Sequence, residues 1–178
     1  MITLRPYQTD IVDSLRLTLG KHRRSVLCAP TGAGKTIMFT YMISEHLKRG
    51  GNVLVLTHRT ELLKQSGSSF QKFGLSPEYI TAGSKPDLTA KLHVCMVETL
   101  ERRKEAYSEF IQSKSLVVID EAHLNIFTKI LPSISKKAFV IGATATPLRK
   151  GKTVPSLDEF YGAIVQKIDT PELIEKGF

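Results

Sequence analysis

A phosphate-binding loop is indicated by the stretch from Ala29 to Thr36, Ala-Pro-Thr-Gly-Ala-Gly-Lys-Thr. Gly32 and Gly34 allow a tight turn that brings several backbone N–H groups toward one anion, and a helix beginning near Lys35 adds the positive end of its dipole. Lys35 can then reach β- and γ-phosphate oxygens, and the Thr36 hydroxyl is a ligand for Mg²⁺. The general pattern begins with Gly rather than Ala, so an ordinary strand-turn-helix joint is the alternative for this loop taken alone.

An acidic pair follows an apolar run later in the chain. The run Leu116–Ile119 ends in Asp120-Glu121-Ala122-His123. A carboxylate at the end of a buried strand is costly unless it binds something positive, and a hydrated Mg²⁺ on a nucleotide is the natural partner of Asp120. Glu121 can orient or deprotonate an attacking water. Two solvated acids at a strand end are the alternative, and the phosphate loop upstream argues against it.

Apolar runs of strand length alternate with helical patterns throughout the chain. This alternation predicts an α/β sandwich with a mainly parallel sheet, whose ligand site lies beyond the carboxyl ends of the strands. The chain after Leu148 is expected to be irregular, apart from a short helix over Thr170–Lys176. The predicted strands are Ser25–Cys28, Asn52–Thr57, Tyr79–Ala82, Leu92–Val97, Leu116–Ile119 and Ala138–Ile141, and the main helices run from Pro6 to Gly20, Lys35 to Arg49 and Thr60 to Phe73.

Length, charge and cysteine content narrow the class of protein. The 178 residues are expected to form one domain, residues 1–178, and a net charge of +8 favours a polyanionic partner. Cys28 and Cys95 lack metal-ligand spacing, so we expect buried free thiols. No apolar run approaches the roughly 18 residues of a membrane span. We expect an intracellular protein without a membrane partner, in the cytoplasm of a bacterial or phage-infected cell.

The order of these motifs resembles the first RecA-like motor domain of a superfamily 2 helicase or translocase with a DEAH box, and the resemblance covers nearly the whole chain. It implies a RecA-like P-loop three-layer sandwich that uses ATP and Mg²⁺, and Ala29 fits this family better than the general loop pattern. By the same resemblance Lys35 and Thr36 hold phosphate and Mg²⁺, Asp120 holds the metal and Glu121 the water. His123 would link the nucleotide site to the segment from Thr144 to Thr146, which couples hydrolysis to movement on the strand.

Two further segments are similar to motifs of this family. Leu4-Arg5-Pro6-Tyr7-Gln8 resembles the adenine-recognition segment, in which the Gln8 amide would pair with the base edge and Arg5 would stack on the base or hydrogen-bond to it. A helix cap region with no ligand is the alternative. The complete set implied to bind the nucleotide is Arg5, Gln8, Pro30, Thr31, Gly32, Ala33, Gly34, Lys35 and Thr36.

The stretch from Thr57 to Gln65 resembles the first strand-contacting motif, with Thr57 and Arg59 as the contacts to nucleic-acid phosphates. A second contact is expected at Thr99, although Met96 stands where Ser or Thr is usual and Glu98 replaces a common Gln. The resemblance implies a DNA partner, single-stranded or branched, without excluding RNA.

Motors of this family have a second RecA-like domain that supplies arginine fingers, and nothing in this sequence resembles it. Three interpretations therefore remain: the ATP-binding half of a helicase or translocase, a P-loop ATPase motor or switch without strand separation, such as a restriction-complex subunit, and a non-hydrolysing nucleic-acid-binding module.

Overall fold

The structure is a computed structural model that describes residues 3–58, 69–145 and 160–166. Arg59 and Thr146 lie outside the described residues, as does the helix predicted over Thr170–Lys176. Most of the helix predicted from Thr60 to Phe73 also lies outside them.

The described residues form a single seven-stranded sheet in which every pairing is parallel. The strands are β1 (Arg24–Cys28), β2 (Val53–Thr57), β3 (Glu78–Ile80), β4 (Leu92–Met96), β5 (Leu116–Ile119), β6 (Phe139–Thr144) and β7 (Ala163–Gln166). Their spatial order is β3-β4-β2-β5-β6-β1-β7. The predicted α/β architecture is confirmed, and the sheet is wholly rather than mainly parallel.

Helices cover both faces of the sheet. Helices α1 (Pro6–His22) and α2 (Lys35–Lys48) pack on one face, while α3 (Val97–Arg102), α4 (Ser108–Gln112) and two 3-10 turns pack on the other. Strand residues alternate between the two cores because successive side chains of a strand point to opposite faces. Val53 and Val55 contact the first layer, whereas Leu54 and Leu56 contact the second. The 3-10 turns are Asn125–Lys129 and Leu131–Ser133.

Besides shifts of one or two residues at other element ends, the structure differs from the prediction in three places that bear on packing. Strand β6 continues through Thr144, although Gly142 had been expected to end it. A Cβ at Gly142 would lie 2.8 Å from the Ala122 Cβ, so this glycine serves close packing rather than a turn. Strand β7 lies in the region expected to be irregular, where its few apolar residues pair with the edge of β1. Helix α1 continues past Gly20 and ends where Arg23 adopts a positive φ of 62°.

The remaining sequence expectations on burial hold. Cys28 and Cys95 are free and buried. None of the described helices has the length and apolar character needed to cross a membrane.

A buried lysine lies at the amino end of the sheet, on the side away from the phosphate loop. Lys114 is 3% exposed, and its Nζ lies 3.3 Å from His93 Nδ1 and 3.9 Å from the centre of the Phe110 ring. The Nε2 of His93 donates to the Asp87 carbonyl, so Nδ1 is free to accept a hydrogen bond from Lys114. Burial, assisted by the charge of Lys91, lowers the pKa of Lys114 to about 8. This amine has no carboxylate partner among the described residues.

The Lys114 cluster predicts a specific pH dependence of stability. Between the folded pKa of about 8 and the unfolded value of 10.5, the unfolded chain binds more protons, so stability rises with pH in that window. Compared with Lys114→Met, the wild-type protein should gain on the order of 1–3 kcal/mol in free energy of unfolding as the pH rises through it. Chemical denaturation of both proteins measures this difference, with the exposed Lys72→Met as the control. A constant difference across the window would show that the Lys114 pKa is not lowered.

Candidate active site

The polar motifs converge because three neighbouring strands end side by side. The Ala29 N–H, at the start of the phosphate loop, donates to the Thr144 carbonyl at 3.1 Å. The Ala122 N–H donates to the Ala143 carbonyl at 2.7 Å, and the Asp120 N–H donates to the Leu56 carbonyl at 3.1 Å. The end of β6 therefore holds the phosphate loop on one side and the acidic turn on the other.

The phosphate loop turns on two glycines with positive φ, 91° at Gly32 and 76° at Gly34. The Ala33 N–H closes the turn by donating to the Pro30 carbonyl at 3.2 Å. Thr31 and Gly32 at the tip are exposed, and α2 begins directly after Gly34. Backbone N–H groups and the helix N-terminus thus lie at one exposed point, as an anion-binding loop requires.

Lys35 folds back over this loop. Its Nζ donates to the Ala29 carbonyl at 2.8 Å and to the Pro30 carbonyl at 3.0 Å. Burial lowers the pKa of Lys35, while the charges of Glu121 and Asp120 oppose that shift. The ammonium therefore shares one electrostatic environment with both acids. Thr36, one residue further on, is exposed.

An unusual backbone conformation lets both consecutive acids belong to the site. Glu121 has a positive φ of 54°, and its N–H donates to Asp120 Oδ1 at 3.1 Å. In a regular strand two consecutive side chains would point to opposite faces. Burial, then the charge of Glu121, raises the pKa of Asp120, while the Glu121 N–H and Lys35 oppose the rise. Asp120 is thus a half-buried carboxylate that a bound cation would stabilise.

His123 bridges the acidic turn and strand β6. Its Nδ1 lies 3.3 Å from Glu121 Oε2 and 2.9 Å from Thr144 Oγ1, and Thr144 is fully buried. A proton on Nδ1 satisfies both neighbours, because the carboxylate and the hydroxyl oxygen can each accept from it. The acidic turn and strand β6 are therefore in contact through His123.

Gln8 lies against the phosphate loop. Its Oε1 accepts from the Arg5 N–H at 3.0 Å, and its Nε2 donates to the Ala33 carbonyl at 3.3 Å. A side chain at Gly34 would collide with this amide. The Gln8 side chain is buried, whereas Arg5 is exposed. Gln8 therefore braces the loop, and an adenine contact would require its amide to exchange these partners.

Two of the predicted strand-contacting residues, Thr57 and Thr99, lie at the ends of neighbouring strands. Thr57, the last residue of β2, pairs in register with Met96, the last residue of β4. Helix α3 begins directly after Met96, and Thr99 is its third residue. Thr57 is 2% exposed, whereas Thr99 is only partly buried. Of these two hydroxyls, Thr99 is therefore the more accessible to a strand.

Sequence reasoning missed Tyr7. Its hydroxyl donates to the Ala33 carbonyl at 3.3 Å and lies 3.5 Å from Gln8 Nε2. The only feature of the sequence that pointed to a contact with the loop was the position of Tyr7 next to Gln8. An aromatic residue on the apolar side of a helix is otherwise interpreted as a core residue.

The oxygen donors at this site fit Mg²⁺ rather than a metal held wholly by protein. Mg²⁺ is usually bound by one or two carboxylates together with substrate phosphates and waters. Asp120 is a half-buried carboxylate of this kind, and the Thr36 hydroxyl is exposed at the start of α2. In the part of the chain that the structure describes, no three His, Cys, Asp or Glu side chains are grouped to hold a metal ion.

Known proteins share both the sequence and the fold. A family model described as Type III restriction enzyme, res subunit, matches residues 1–149. The mouse ATP-dependent RNA helicase DHX58 is 29% identical over an alignment that covers 84% of this chain and 26% of that protein. A protein of the Sulfolobus islandicus filamentous virus is 27% identical over 98% of this chain, which spans 34% of that protein. The chain thus spans about a third or less of the length of these two curated relatives.

Solved structures give the same fold. The Hef helicase domain of Pyrococcus furiosus superposes with a TM-score of 0.74 at 25% identity, over 97% of this chain and 40% of that one. The UvsW helicase of bacteriophage T4 superposes with a TM-score of 0.74 at 21% identity, over 93% of this chain and 61% of that one. With its parallel sheet and a family match over residues 1–149, the chain belongs to the Type III restriction enzyme res subunit family and has the N-terminal RecA-like domain of superfamily 2 helicases.

Proposed function

We propose that this domain is the ATP-binding half of an ATP-dependent DNA helicase or translocase, in which hydrolysis of Mg-ATP is coupled to movement on the strand. The observation that carries the proposal is the chain of contacts from the acidic turn through His123 to Thr144. A site built only to hold nucleotide would not need its acid joined to the strand that supports the phosphate loop.

Lys35 is the residue that binds the β- and γ-phosphates in this proposal. Its Nζ exchanges the Ala29 and Pro30 carbonyls for phosphate oxygens, both sets being acceptors, so the ammonium keeps hydrogen-bond partners throughout. Pro30, Thr31, Gly32, Ala33 and Gly34 present the backbone of the cradle. Thr36 and Asp120 would hold Mg²⁺, which when bound neutralises part of the phosphate charge.

Glu121 accepts the proton of the attacking water in this scheme. His123 donates from Nδ1 to Glu121 and so fixes the direction of the carboxylate. Because the same Nδ1 contacts Thr144, a movement of Glu121 on nucleotide binding or hydrolysis changes the contact with β6. We propose that Thr144 and Thr146 pass this change to the strand-contacting face formed by Thr57, Arg59 and Thr99.

DNA is the proposed strand, contacted through its phosphates and therefore with weak sequence preference. The type ISP restriction-modification enzyme LlaGI has the same fold, with a TM-score of 0.78 at 19% identity, and its structure was solved in complex with a DNA substrate mimic. DHX58 is described as an RNA helicase, so the choice between DNA and RNA is an outcome to be measured.

The domain, residues 1–178, is proposed to work with a second RecA-like domain that completes the ATP site with arginine fingers. The second candidate function is a P-loop translocase of a restriction complex that moves on DNA without separating strands. The family match to restriction subunits favours it. A strand-displacement assay on a protein that contains both RecA-like domains distinguishes the two functions. A translocase of this kind consumes ATP on DNA and releases no strand.

The catalytic roles predict separable effects of two substitutions. Lys35→Ala should abolish binding of Mg-ATP, because the phosphates lose their nearest cation, and calorimetry measures this directly.

Glu121→Gln should keep nucleotide binding but remove turnover when the second domain is joined to this one. The isolated domain should hydrolyse ATP slowly, since an arginine finger contributes about 10³ to 10⁵ in rate. Unchanged affinity in Lys35→Ala, or brisk DNA-stimulated turnover by the 178 residues alone, would contradict the proposal.

Gln8 predicts selectivity for adenine. Gln8→Ala should reduce affinity for ATP about tenfold and leave affinity for GTP much less changed, because only the adenine edge matches the amide. If Gln8 only braces the loop, both nucleotides lose affinity equally. Tyr7→Phe is the matched control, since it removes the hydroxyl that contacts the Ala33 carbonyl and Gln8 Nε2 but keeps the Gln8 amide and its hydrogen bond to Ala33. Equal binding of ATP and GTP by the wild-type domain would remove the adenine role.

The strand-contacting face predicts salt-dependent binding of single-stranded DNA. Affinity should fall with log salt at a slope of about 0.7 per phosphate contact. Arg59→Ala should weaken binding and flatten the slope, whereas Thr99→Val should weaken binding and leave the slope unchanged, because a hydroxyl carries no charge. Thr57→Val should weaken binding less than Thr99→Val because the Thr57 side chain is buried. Fluorescence anisotropy at several salt concentrations tests this. An affinity that does not change with salt would refute a phosphate-contacting face.

A further inference from the structure

A cavity of about 310 Å³ lies between the last turns of α1 and α2, over the amino ends of β5 and β6. Its floor is formed by Leu116, Phe139 and Ile141, and its apolar walls by Leu19 and Met42. Because α2 begins at the phosphate loop and ends here, this cavity lies at the opposite end of the domain from the candidate active site. None of its lining residues takes part in the function proposed above.

The rim of this cavity is positively charged. Asp13, beside the cavity, is paired with Arg16 at 3.2 Å, and Glu45, which lines the cavity, is paired with Lys48 at 2.9 Å. Arg49 also lines the cavity and its charge acts on Glu45, so that two acids and three cations leave a net charge of +1 at this rim.

The positive charge extends along the surface from Phe139. The Arg23 guanidinium lies 4.9 Å from the centre of the Phe139 ring and donates to the Lys137 carbonyl at 3.1 Å. Lys21, Lys136 and Lys137 are exposed on the segments that precede β1 and β6. An occupant of the cavity would therefore meet a continuous cationic surface beside it.

We propose that this cavity docks an acidic segment of a partner protein, with one large apolar side chain inserted between α1 and α2. The volume is at the lower end of the roughly 300–1,000 Å³ of ligand sites, which suits a single anchor side chain. Aspartates and glutamates flanking the anchor match the cations around the rim. A second copy of this chain is a poor match, since it would bring the same net charge of +8.

A nucleic-acid strand fits the cavity less well than an acidic segment. Five side chains form the apolar part of the lining, Leu19, Met42, Leu116, Ile141 and Phe139, whose ring is already covered by Arg23, while polar side chains such as Glu45 and His46 line the rest. A base inserted against the apolar part would lose the hydration of its polar edge without gaining hydrogen bonds from those five side chains. An apolar protein side chain has no such cost.

Gly20 offers a sharp test because it lines the cavity and a Cβ there would meet no atom within 4 Å. Gly20→Phe should fill the cavity from within, whereas Gly20→Ala adds only a methyl group, and both should keep or raise helix stability. The probe is a labelled synthetic peptide of Asp and Glu residues around one central Phe. Fluorescence anisotropy should show binding that Gly20→Phe weakens about tenfold or more and Gly20→Ala leaves nearly unchanged.

Charge is tested in the same assay. Arg49→Glu should weaken peptide binding, whereas Lys104→Glu, the same charge change at an exposed residue outside the rim, should do much less. A peptide with Ala in place of Phe should bind about tenfold more weakly to the wild-type domain. ATP affinity and melting temperature, measured for each variant, establish that the fold and the nucleotide site are intact.

Three results would overturn the proposal. Peptide binding that is equal for Gly20→Phe and the wild type would mean that the cavity is not used. Equal affinity for the Phe and Ala peptides would mean that charge alone attracts the probe. Tighter binding of a single-stranded oligonucleotide that Gly20→Phe weakens would assign the cavity to nucleic acid instead.

Discussion

The end of strand β6 is the constraint on which the candidate active site depends. Its last two residues accept one backbone hydrogen bond from the phosphate loop, at Thr144, and one from the acidic turn, at Ala143. The hydroxyl of the same Thr144 reaches His123. Because these bonds continue the parallel ladders of the sheet, the strand register sets the relative positions of Lys35 and Glu121. A shift of β6 by one residue would turn Thr144 away from His123 and separate the two motifs.

The backbone conformation of the acidic turn determines the direction of the Asp120 and Glu121 side chains. Asp120 follows a buried strand, and the next side chain of a continued strand would point to the other face of the sheet. The positive φ of Glu121 turns the chain directly after the strand. In this conformation the Glu121 N–H donates to the Asp120 carboxylate. A non-glycine residue in this region costs on the order of 1–2 kcal/mol. That cost is offset by the Ala122 N–H bond to β6, which the same turn makes possible.

The sequence predicted most of the sheet and the convergence of the motifs, because buried parallel strands are continuous apolar runs and their ends are marked by polar residues. Leu116–Ile119 followed by Asp120 is the clearest case. The extension of β6 past Gly142 was not predictable, since its reason is the distant pair Ala122 and Tyr161. The hydrogen bonds of Tyr7 and Gln8 to the Ala33 carbonyl were also not predicted, because these two residues lie 26 and 25 positions before Ala33 in the sequence.

The fold distributes the net charge of +8 unevenly between the two ends of the sheet. Taken as composition, this charge favoured a polyanionic partner. In the folded domain Arg23 and Lys137 meet at the amino ends of the strands, where Arg23 also covers Phe139. The carboxyl end instead carries Asp120 and Glu121, which make its local potential less positive. A strand bound at that end, as proposed above, must therefore be held largely by directed hydrogen bonds to its phosphates. The cations around Arg23 and Lys137 lie at the other end, beside the apolar cavity, which adds a requirement that a bare phosphate chain does not meet.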